Sequence, residues 1–199
     1  MDDVLGTPTN TLLAASYPGQ VPTNSFDDII LLSTGGDSII KDGSGNLTLS
    51  GANSFTNKLS VLNGKVILGA NNTLADASTI TVNGAAAILD IGTATDTVGG
   101  VQLINGSIIG GAGVLSSTTA FDMQNGTASA NLGGTATMTK TTSGTVTLSG
   151  NNSFTGVGNV NLGTLIVSSS NALGSAVAGT TVASGAVLRV TGSGLVIPE

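Results

Sequence analysis

Apolar and polar residues alternate in short runs along most of this 199-residue chain. In the segment 46–50, Leu47 and Leu49 alternate with polar residues, and the segment 145–149 has the same pattern. A period of two residues is typical of a β-strand with one buried face. The pattern predicts an all-β chain built from short strands.

Glycines divide this alternation into units of nearly constant length. Eight of them follow one another at intervals of 18 to 22 residues: Gly45, Gly64, Gly84, Gly106, Gly126, Gly144, Gly163 and Gly185. The second residue after each is apolar: Leu47, Val66, Ala86, Ile108, Ala128, Val146, Leu165 and Val187. A unit of about twenty residues cannot bury its own apolar face, so such units stack. We therefore predict a parallel β-solenoid of about eight or nine turns, in which each glycine opens a strand and these apolar residues share one inward row.

Two turns depart from this regular spacing. In the segments 89–91 and 188–190, apolar residues flank a charged one, so the inward side is expected to shift by one residue. A β-bulge near Gly84 and another near Gly185 would produce these shifts.

A longer repeat overlies the short one. A shift of 99 residues aligns Lys41–Leu74 with Lys140–Leu173 without a gap, and sixteen of the 34 aligned positions are identical. The most similar stretch reads S-G-N-L-T-L-S-G-A-N-S-F-T in the first copy and S-G-T-V-T-L-S-G-N-N-S-F-T in the second. Part of the chain is thus a duplicated unit.

These stretches, with Gly64–Leu68 and Gly163–Val167 after them, resemble the autotransporter-associated β-strand repeat, also called the passenger-associated transport repeat. The family pattern is similar to G-T-L-T-L-S-G-x-N-T-Y-T-G followed by G-T-L. Phe55 and Phe154 replace its usual Tyr, and Asn57 replaces its final Gly in the first copy. The resemblance implies a right-handed parallel β-helix on a bacterial cell surface or in a secreted fibre, and it implies no catalytic residues.

Four Asn-Gly pairs favour a different all-β fold. They begin at Asn63, Asn83, Asn105 and Asn125, and this dipeptide is the strongest short hairpin signal. An antiparallel sandwich is therefore the structural alternative. Hairpins would repeat at about 8–12 residues, whereas the observed period near twenty favours the parallel solenoid.

The chain divides into two regions. Residues 1–36 contain three prolines and the apolar run Phe26–Leu32, which predicts either a cap on the solenoid or an extended arm that adds a strand to a neighbouring molecule. Residues 37–199 form the predicted solenoid, with two copies of the 99-residue unit, the second incomplete. The last residues, 195–199, contain no polar cap, so we expect the body to continue in a parent protein or to meet another copy.

Composition and charge exclude several classes of protein. The net charge is −6 and the five cations are scattered, so the basic footprint that nucleic acid requires is missing. The chain contains no run of about eighteen apolar residues, which is the length that a membrane-spanning helix needs. The chain has no cysteine, which excludes a disulfide framework. It also has no histidine, the commonest general base.

Carboxylates are the remaining catalytic candidates. Asp2–Asp3 and Asp27–Asp28 are adjacent pairs, and adjacent residues on a strand point to opposite faces. Four others could approach one another across turns, although a solvated surface or a turn is the more common role for them: Asp76, Asp90, Asp96 and Asp122. We predict no catalytic, cofactor-binding or metal-binding residues, and no enzyme activity.

Two short patterns are similar to known binding sites, one for calcium and one for ice. Asp37, Asp42 and Asn46 are similar to part of a calcium-binding β-roll, but the pattern does not recur and calcium needs six to eight ligands. An Asp-Gly turn is the favoured interpretation. Threonines in the segments 135–139 and 145–147 suggest an ice-binding face, which isoleucines at equivalent places interrupt.

Asparagines at the corners have a structural interpretation. Asn53 and Asn152 occupy equivalent places just before the two repeat phenylalanines. An Asn side chain inside a solenoid corner can bond the backbone of the next turn. We expect that role for both.

The predicted solenoid, together with what the resemblance implies, indicates a structural segment of a secreted or surface-displayed bacterial protein, namely a stalk, an adhesin passenger or part of an extracellular matrix. Its candidate partners are a surface glycan, a host ligand or another copy bound head to tail. A self-assembling extracellular filament subunit is the alternative, and a polysaccharide-acting enzyme or an ice-binding protein is less favoured. No cofactor is expected.

Overall fold

A computed structural model of the chain describes residues 29–32 and 38–198. That part of the chain contains sixteen β-strands and no helix. The strands are β1 (Ile29–Leu32), β2 (Ser38–Lys41), β3 (Asn46–Leu49), β4 (Lys58–Val61), β5 (Lys65–Leu68), β6 (Thr79–Asp90), β7 (Asp96–Ile109), β8 (Val114–Met123), β9 (Gly126–Ala128), β10 (Asn131–Gly134), β11 (Thr137–Lys140), β12 (Thr145–Leu148), β13 (Gly158–Val160), β14 (Thr164–Val167), β15 (Thr180–Val182) and β16 (Val187–Val190). The predicted N-terminal cap or arm, residues 1–36, lies outside the described residues except for β1.

Parallel pairing between successive turns holds these strands together. Among the described strands only β1 and β2 pair antiparallel. The chain forms a β-solenoid of about eight turns. The predicted parallel solenoid is therefore confirmed, and the antiparallel sandwich is wrong, because each Asn-Gly pair turns a corner between two faces of the same turn.

Three columns of strands run along the stack. The first column contains β3, β5, β9, β12, β14, β16 and the C-terminal parts of β6 and β7. The second contains β2, β4, β11, β13, β15, the N-terminal part of β6, the central part of β7 and the C-terminal part of β8. A short third column joins the N-terminal parts of β7 and β8 to β10.

The core lies between these columns. Most strands from β2 to β14 alternate buried and more exposed positions, and the buried apolar side chains form one continuous cluster from Ile39 to Leu173. Phe121 on β8 contacts Phe154, with ring centroids 5.9 Å apart and planes at 47°. Leu, Val, Ile and Ala fill most of the remaining interior, as the low aromatic content requires.

The predicted inward row is wrong in its register at four turns. The residues that align along the first column are Leu47, Val66, Leu89, Ile108, Ala128, Leu148, Val167 and Val190. Ala86 is exposed rather than inward, and Val187 is 48% exposed. Val146 and Leu165 nevertheless stay buried, because a shift of two residues preserves the buried face of a strand.

The predicted shifts of the inward side occur at both turns. Near Gly185, Leu188 pairs with the buried Leu165, one residue later than the regular spacing places it. Near Gly84 the shift in pairing is larger than predicted, because Leu89 pairs with Val66 and the register breaks between Asn83 and Ile88. The added residues form a bulge in β6, in which Ala85 and Ala86 are exposed and Ala87 is buried.

Six of the eight spacing glycines lie at or just before the start of a strand, as predicted. The prediction is wrong for Gly84 and Gly106, which lie inside β6 and β7, because these long strands continue around the corner. At the equivalent corners Gly64 and Gly163, φ is 64° and 68°, and an added Cβ would lie 2.4 Å from the carbonyl oxygen of Gly45 or Gly144. Only glycine allows the turns to approach so closely here.

Candidate functional site

A row of polar side chains runs along the outside of the second column. Its members pair in successive turns and are Ser60, Thr81, Gln102, Asp122, Thr139, Asn159 and Thr181, which we call the polar row. Because adjacent parallel strands lie about 4.8 Å apart, the row presents a hydroxyl, amide or carboxylate group at that interval.

A shallow pocket of about 230 Å³ lies beside the polar row. Gly100 and Ala120 form a low floor between Lys58 and Thr79 on one side and Asp122 on the other. The pocket therefore combines a cation, a carboxylate and hydroxyl groups around a small apolar surface.

Asp122 is the most strongly bonded member of the polar row. Its Oδ2 accepts hydrogen bonds from Gln102 Nε2 at 2.8 Å and Gln124 Nε2 at 2.7 Å, and its Oδ1 accepts one from Thr141 Oγ1 at 2.6 Å. Partial burial opposes ionisation, but these three donors and the nearby charge of Lys140 together lower the pKa of Asp122 below its ordinary value. The carboxylate is charged and held in place.

Asp96 lies in a different environment. It is 1% exposed, and its Oδ2 accepts from Thr73 N at 2.7 Å and Leu74 N at 3.0 Å in the turn below. Its Oδ1 is buried without a hydrogen-bond partner in the described part of the chain. Burial, aided by the charge of Asp76, raises the pKa of Asp96 despite these backbone donors. A solvated role is therefore wrong for Asp96, whereas a turn role agrees with its contacts.

The four aspartates singled out in the sequence do not form one site. Asp90 on β6 pairs with Lys65 Nζ at 3.2 Å and accepts from Gly92 N at 3.0 Å. Asp122 lies on the second column and Asp96 begins β7 on the third. Only Asp76 and Asp96 are close enough for one charge to affect the other. A paired acid and base facing an open cleft is not seen among the described residues.

The calcium candidate does not assemble either. Asp37 lies outside the described residues, and Asn46 is exposed at the start of β3. Asp42 Oδ1 accepts from Gly43 N at 2.8 Å, and Gly43 has φ of 81°, which is an Asp-Gly turn. The described part of the chain has no group of three or more acidic, His or Cys side chains arranged for a metal.

The corner asparagines behave as predicted. Asn53 Nδ2 donates to Thr73 O at 2.9 Å, and Asn152 Nδ2 donates to Ala172 O at 2.7 Å, each in the next turn. Asn152 Oδ1 also accepts from Leu132 N at 2.8 Å in the preceding turn. These amides replace backbone hydrogen bonds where strands stop at a corner.

Two buried lysines were missed in the sequence. Lys41 is 3% exposed and Lys140 is 0% exposed, and they hold equivalent places in the two repeats. Lys41 Nζ donates to the carbonyl oxygens of Asp42, Gly43 and Asn63, and Lys140 Nζ donates to Thr142 O and Oγ1. Burial lowers the pKa of Lys140, although Asp122 opposes this. Their position in the sequence could have indicated burial, because each lysine is the last residue of its strand and lies on the same face as the buried residue two places before it.

The threonine face is short. Thr127 pairs with Thr147 on the first column, but the next outward residue is Ile166 and then Arg189. On the second column, Thr137 and Thr139 align with Ala120 and Asp122 rather than with further threonines. The structure thus shows no long threonine rank on its described surfaces.

The last described turn leaves inward positions partly open. Val182 aligns with the buried Val160 and is 45% exposed, while Val190 aligns with the buried Val167 and is 51% exposed. Among the described strands, β15 and β16 each have a neighbour on one side only. Partly exposed apolar side chains therefore lie at this end of the stack.

The comparison with protein families agrees with the two internal copies. The model of the passenger-associated transport repeat matches residues 39–68 and 138–167. The chain contains two passenger-associated transport repeats. In each repeat the matched residues begin on a second-column strand, turn the corner that holds the buried lysine and continue along a first-column strand. They then cover one more strand of each column, β4 and β5 in the first repeat and β13 and β14 in the second. Searches of the curated proteins and of the solved structures found no match.

The two matched segments together cover less than a third of the chain, and both lie within the one solenoid. No helix in the described residues is long and apolar enough to cross a membrane.

Proposed function

We propose that the chain is a structural segment of a secreted or surface-displayed bacterial protein, acting as a stiff spacer in a stalk, an adhesin passenger or an extracellular matrix. The observation that carries this proposal is the unbroken parallel ladder, in which two passenger-associated transport repeats belong to one continuous core. Each turn satisfies the backbone of its neighbours along the axis. Such a body resists bending and presents its side faces to the surroundings.

The proposed location and shape can be tested together. An antibody against the solenoid should label intact, unpermeabilised source cells or their secreted material. Electron microscopy of the purified chain should show short rods of roughly 40 Å for eight turns. Labelling only after the cells are permeabilised would count against the location, and round particles would count against the rod.

We also propose that the chain has no hydrolytic or lyase activity. The arrangement that supports this is the separation of the aspartates, since Asp90, Asp96 and Asp122 lie on three different columns and each is held by its own donors. Screening on glycans and peptides should find no turnover. A turnover that Asp76→Asn, Asp96→Asn or Asp122→Asn abolishes would overturn the proposal, because each change removes the charge that acid–base chemistry needs.

The polar row is the surface we propose for a glycan if the segment belongs to an adhesin. Gln102 and Asp122 present an amide and a charged carboxylate beside the pocket floor of Gly100 and Ala120, a combination that hydrogen-bonds sugar hydroxyls above a small apolar patch. An oligosaccharide array probed with the purified chain should give ligands whose binding is lost in Gln102→Ala. The control is Thr48→Ala, which changes an exposed residue of the first column. Equal binding by both variants would exclude the polar row.

Head-to-tail assembly is the second candidate, and the half-exposed Val182 and Val190 favour it. A second copy of the chain would cover these side chains and pair with the backbone of β15 and β16, and contacts that do not close on themselves make filaments. Sedimentation at increasing concentration should then show growing oligomers. Val190→Asp should prevent growth, whereas Val177→Asp, at a 77% exposed residue outside the strands, should not. A chain that stays monomeric at high concentration contradicts the filament.

A further inference from the structure

At one corner of the first repeat, Lys41 donates hydrogen bonds to two peptide groups that have the same local arrangement. Its Nζ donates to Asp42 O at 2.9 Å and to Asn63 O at 3.3 Å. In both cases the next residue is a glycine, and its N–H donates to the side-chain Oδ1 of the residue before it. Gly43 N donates to Asp42 Oδ1, and Gly64 N donates to Asn63 Oδ1, each at 2.8 Å. Each unit thus has an ammonium group on its carbonyl oxygen and a side-chain carbonyl beside its nitrogen.

An Asn-Gly unit held in this way can react with itself. When a base removes the proton of the glycine N–H, that nitrogen attacks the asparagine Cγ, and the tetrahedral intermediate expels ammonia to leave a five-membered succinimide. Water then adds to one of the two ring carbonyls and opens the ring. The net change consumes one water, releases ammonia and leaves an aspartate or an isoaspartate in place of asparagine.

We propose that Asn63 is a self-modification site of this chain and that Lys41 is its positioning residue. The hydrogen bond from Lys41 Nζ to Asn63 O polarises the same peptide unit that contains Gly64 N, and it stabilises the negative charge that this unit carries once the proton has left. The 2.8 Å contact between Gly64 N and Asn63 Oδ1 holds Cγ, one bond away, beside the attacking nitrogen. Gly64 adds no side chain that would crowd the ring.

The other Asn-Gly pairs lack this arrangement. Asn125 Oδ1 accepts from Thr145 N at 3.2 Å, and Asn125 Nδ2 donates to Asn105 Oδ1 at 3.1 Å, so both side chains are bonded to neighbouring turns. Asn83 lies within β6, where its backbone pairs with Asn105. Among the described residues, no lysine Nζ bonds the carbonyl oxygen of any of these three asparagines, since Lys65 Nζ bonds Asp90 and Lys140 Nζ bonds Thr142.

The second repeat supplies an unreactive counterpart of the same corner. Ninety-nine residues later, Thr141 stands for Asp42 and Leu162 stands for Asn63, while Gly163 keeps the glycine. Lys140 Nζ donates to Thr142 O and Oγ1 rather than to the carbonyl oxygen of Leu162. Leu162 is 52% exposed, so its side chain can be exchanged without disturbing the core.

A modification at position 63 would act on the packing of the first turns. An isoaspartate lengthens the backbone by one atom at a corner where even a Cβ on Gly64 would lie 2.4 Å from Gly45 O. The corner must open to admit it. The modified chain is therefore expected to unfold at a lower temperature than the fresh chain.

The experiment is a time course of the purified full chain at mildly alkaline pH, read by peptide mapping and mass spectrometry. Conversion at position 63 should be at least about tenfold faster than at positions 83, 105 and 125, which is about 1.4 kcal/mol in the barrier. The acceleration should disappear in denaturant, where all four dipeptides lose their contacts. Faster conversion at any of the other three positions, or an acceleration that survives denaturant, overturns the proposal.

Three variants isolate the parts of the site. Asn63→Leu should remove the modification and keep the fold, because leucine holds that place in the second repeat. Lys41→Met should slow conversion at position 63 by about tenfold if circular dichroism shows the folded chain. Leu162→Asn places an Asn-Gly pair at the equivalent corner of the second repeat, where no ammonium group bonds the carbonyl oxygen of residue 162. This variant keeps both lysines, so it tests the proposal even if Lys41→Met does not fold. It should convert about tenfold more slowly than Asn63, and equal rates at the two positions exclude a role for Lys41.

Discussion

Asn152 Oδ1 lies 2.8 Å from Leu132 N in the preceding turn, while Asn152 Nδ2 lies 2.7 Å from Ala172 O in the next. One buried side chain therefore joins three successive turns of the solenoid at a corner where no strand continues. The equivalent Asn53 is half-buried and bonds Thr73 O above it and Gly51 O beside it. The two repeats use the same residue, but only the second encloses it fully.

This difference predicts unequal effects of removing the two amides. Asn152→Ala leaves a buried donor at Leu132 N and a buried acceptor at Ala172 O, which should cost about 2–4 kcal/mol. Asn53→Ala leaves groups that water can reach and should cost about 1 kcal/mol. Urea unfolding of both variants measures the difference. Equal losses would show that the corner amide is not what holds these turns.

Core and surface positions on one strand give a second comparison. Leu49 is 3% exposed and Thr48 beside it is exposed. Leu49→Asp buries an unpaired carboxylate between turns and should cost several kcal/mol, whereas Thr48→Asp should change stability by less than about 0.5 kcal/mol. Circular dichroism during thermal unfolding reads both. Similar loss of β-structure in the two variants would contradict the assignment of inward and outward faces.

The sequence predicted the architecture because the two signals that build it are local. Alternation identified the strands, and the glycine period identified the turns, so the solenoid and its number of turns followed. The exact alignment of turns did not follow, since Ala128 pairs with Leu148 rather than with Val146 and both choices keep an apolar residue inward. Register is decided by packing between turns, which a single strand does not encode.

The buried charges were harder to predict. Lysine is almost never fully buried without partners, so the sequence alone favours a surface position for Lys140. Its partners are carbonyl oxygens of the corner, whose orientation appears only when the turns are stacked. Asp96 was missed as a buried group for the same reason, because its partners at Thr73 and Leu74 lie in the previous turn.

Close approach of the backbone predicts which glycines cannot be replaced. At Gly163 an added Cβ would lie 2.4 Å from Gly144 O and 2.5 Å from Thr142 O, and φ is 68°. Gly163→Ala should therefore destabilise by about 2–4 kcal/mol through strain and displacement of the turn. At Gly51 nothing lies within 4 Å of an added Cβ, so Gly51→Ala serves as the control and should be nearly neutral. A Gly163→Ala chain as stable as the control would mean that the corner can relax at little cost.

Asp122 and Asp96 should give stability changes of opposite sign as the pH varies. The pKa of Asp122 is lowered in the folded chain, so its contribution is present above the ordinary aspartate value of about 3.9 and is lost as the pH falls through the lowered pKa. The pKa of Asp96 is raised, so its contribution is present below the ordinary value and is lost as the pH rises through the raised pKa. The two side chains belong to one solenoid but respond to acid in opposite ways.

Two neutral variants measure these contributions against the unchanged chain. Asp122→Asn should cost about 1–2 kcal/mol near neutral pH, because a carboxylate that accepts three hydrogen bonds is replaced by an amide that has one acceptor oxygen. Its deficit should shrink as the pH falls below the ordinary aspartate pKa. For Asp96→Asn the stability relative to the unchanged chain should instead improve as the pH rises, since the unchanged chain must then charge a buried carboxylate. Denaturant unfolding of all three chains at a series of pH values gives two difference curves. Parallel curves would show that at least one of the two carboxylates titrates differently from the way its contacts imply.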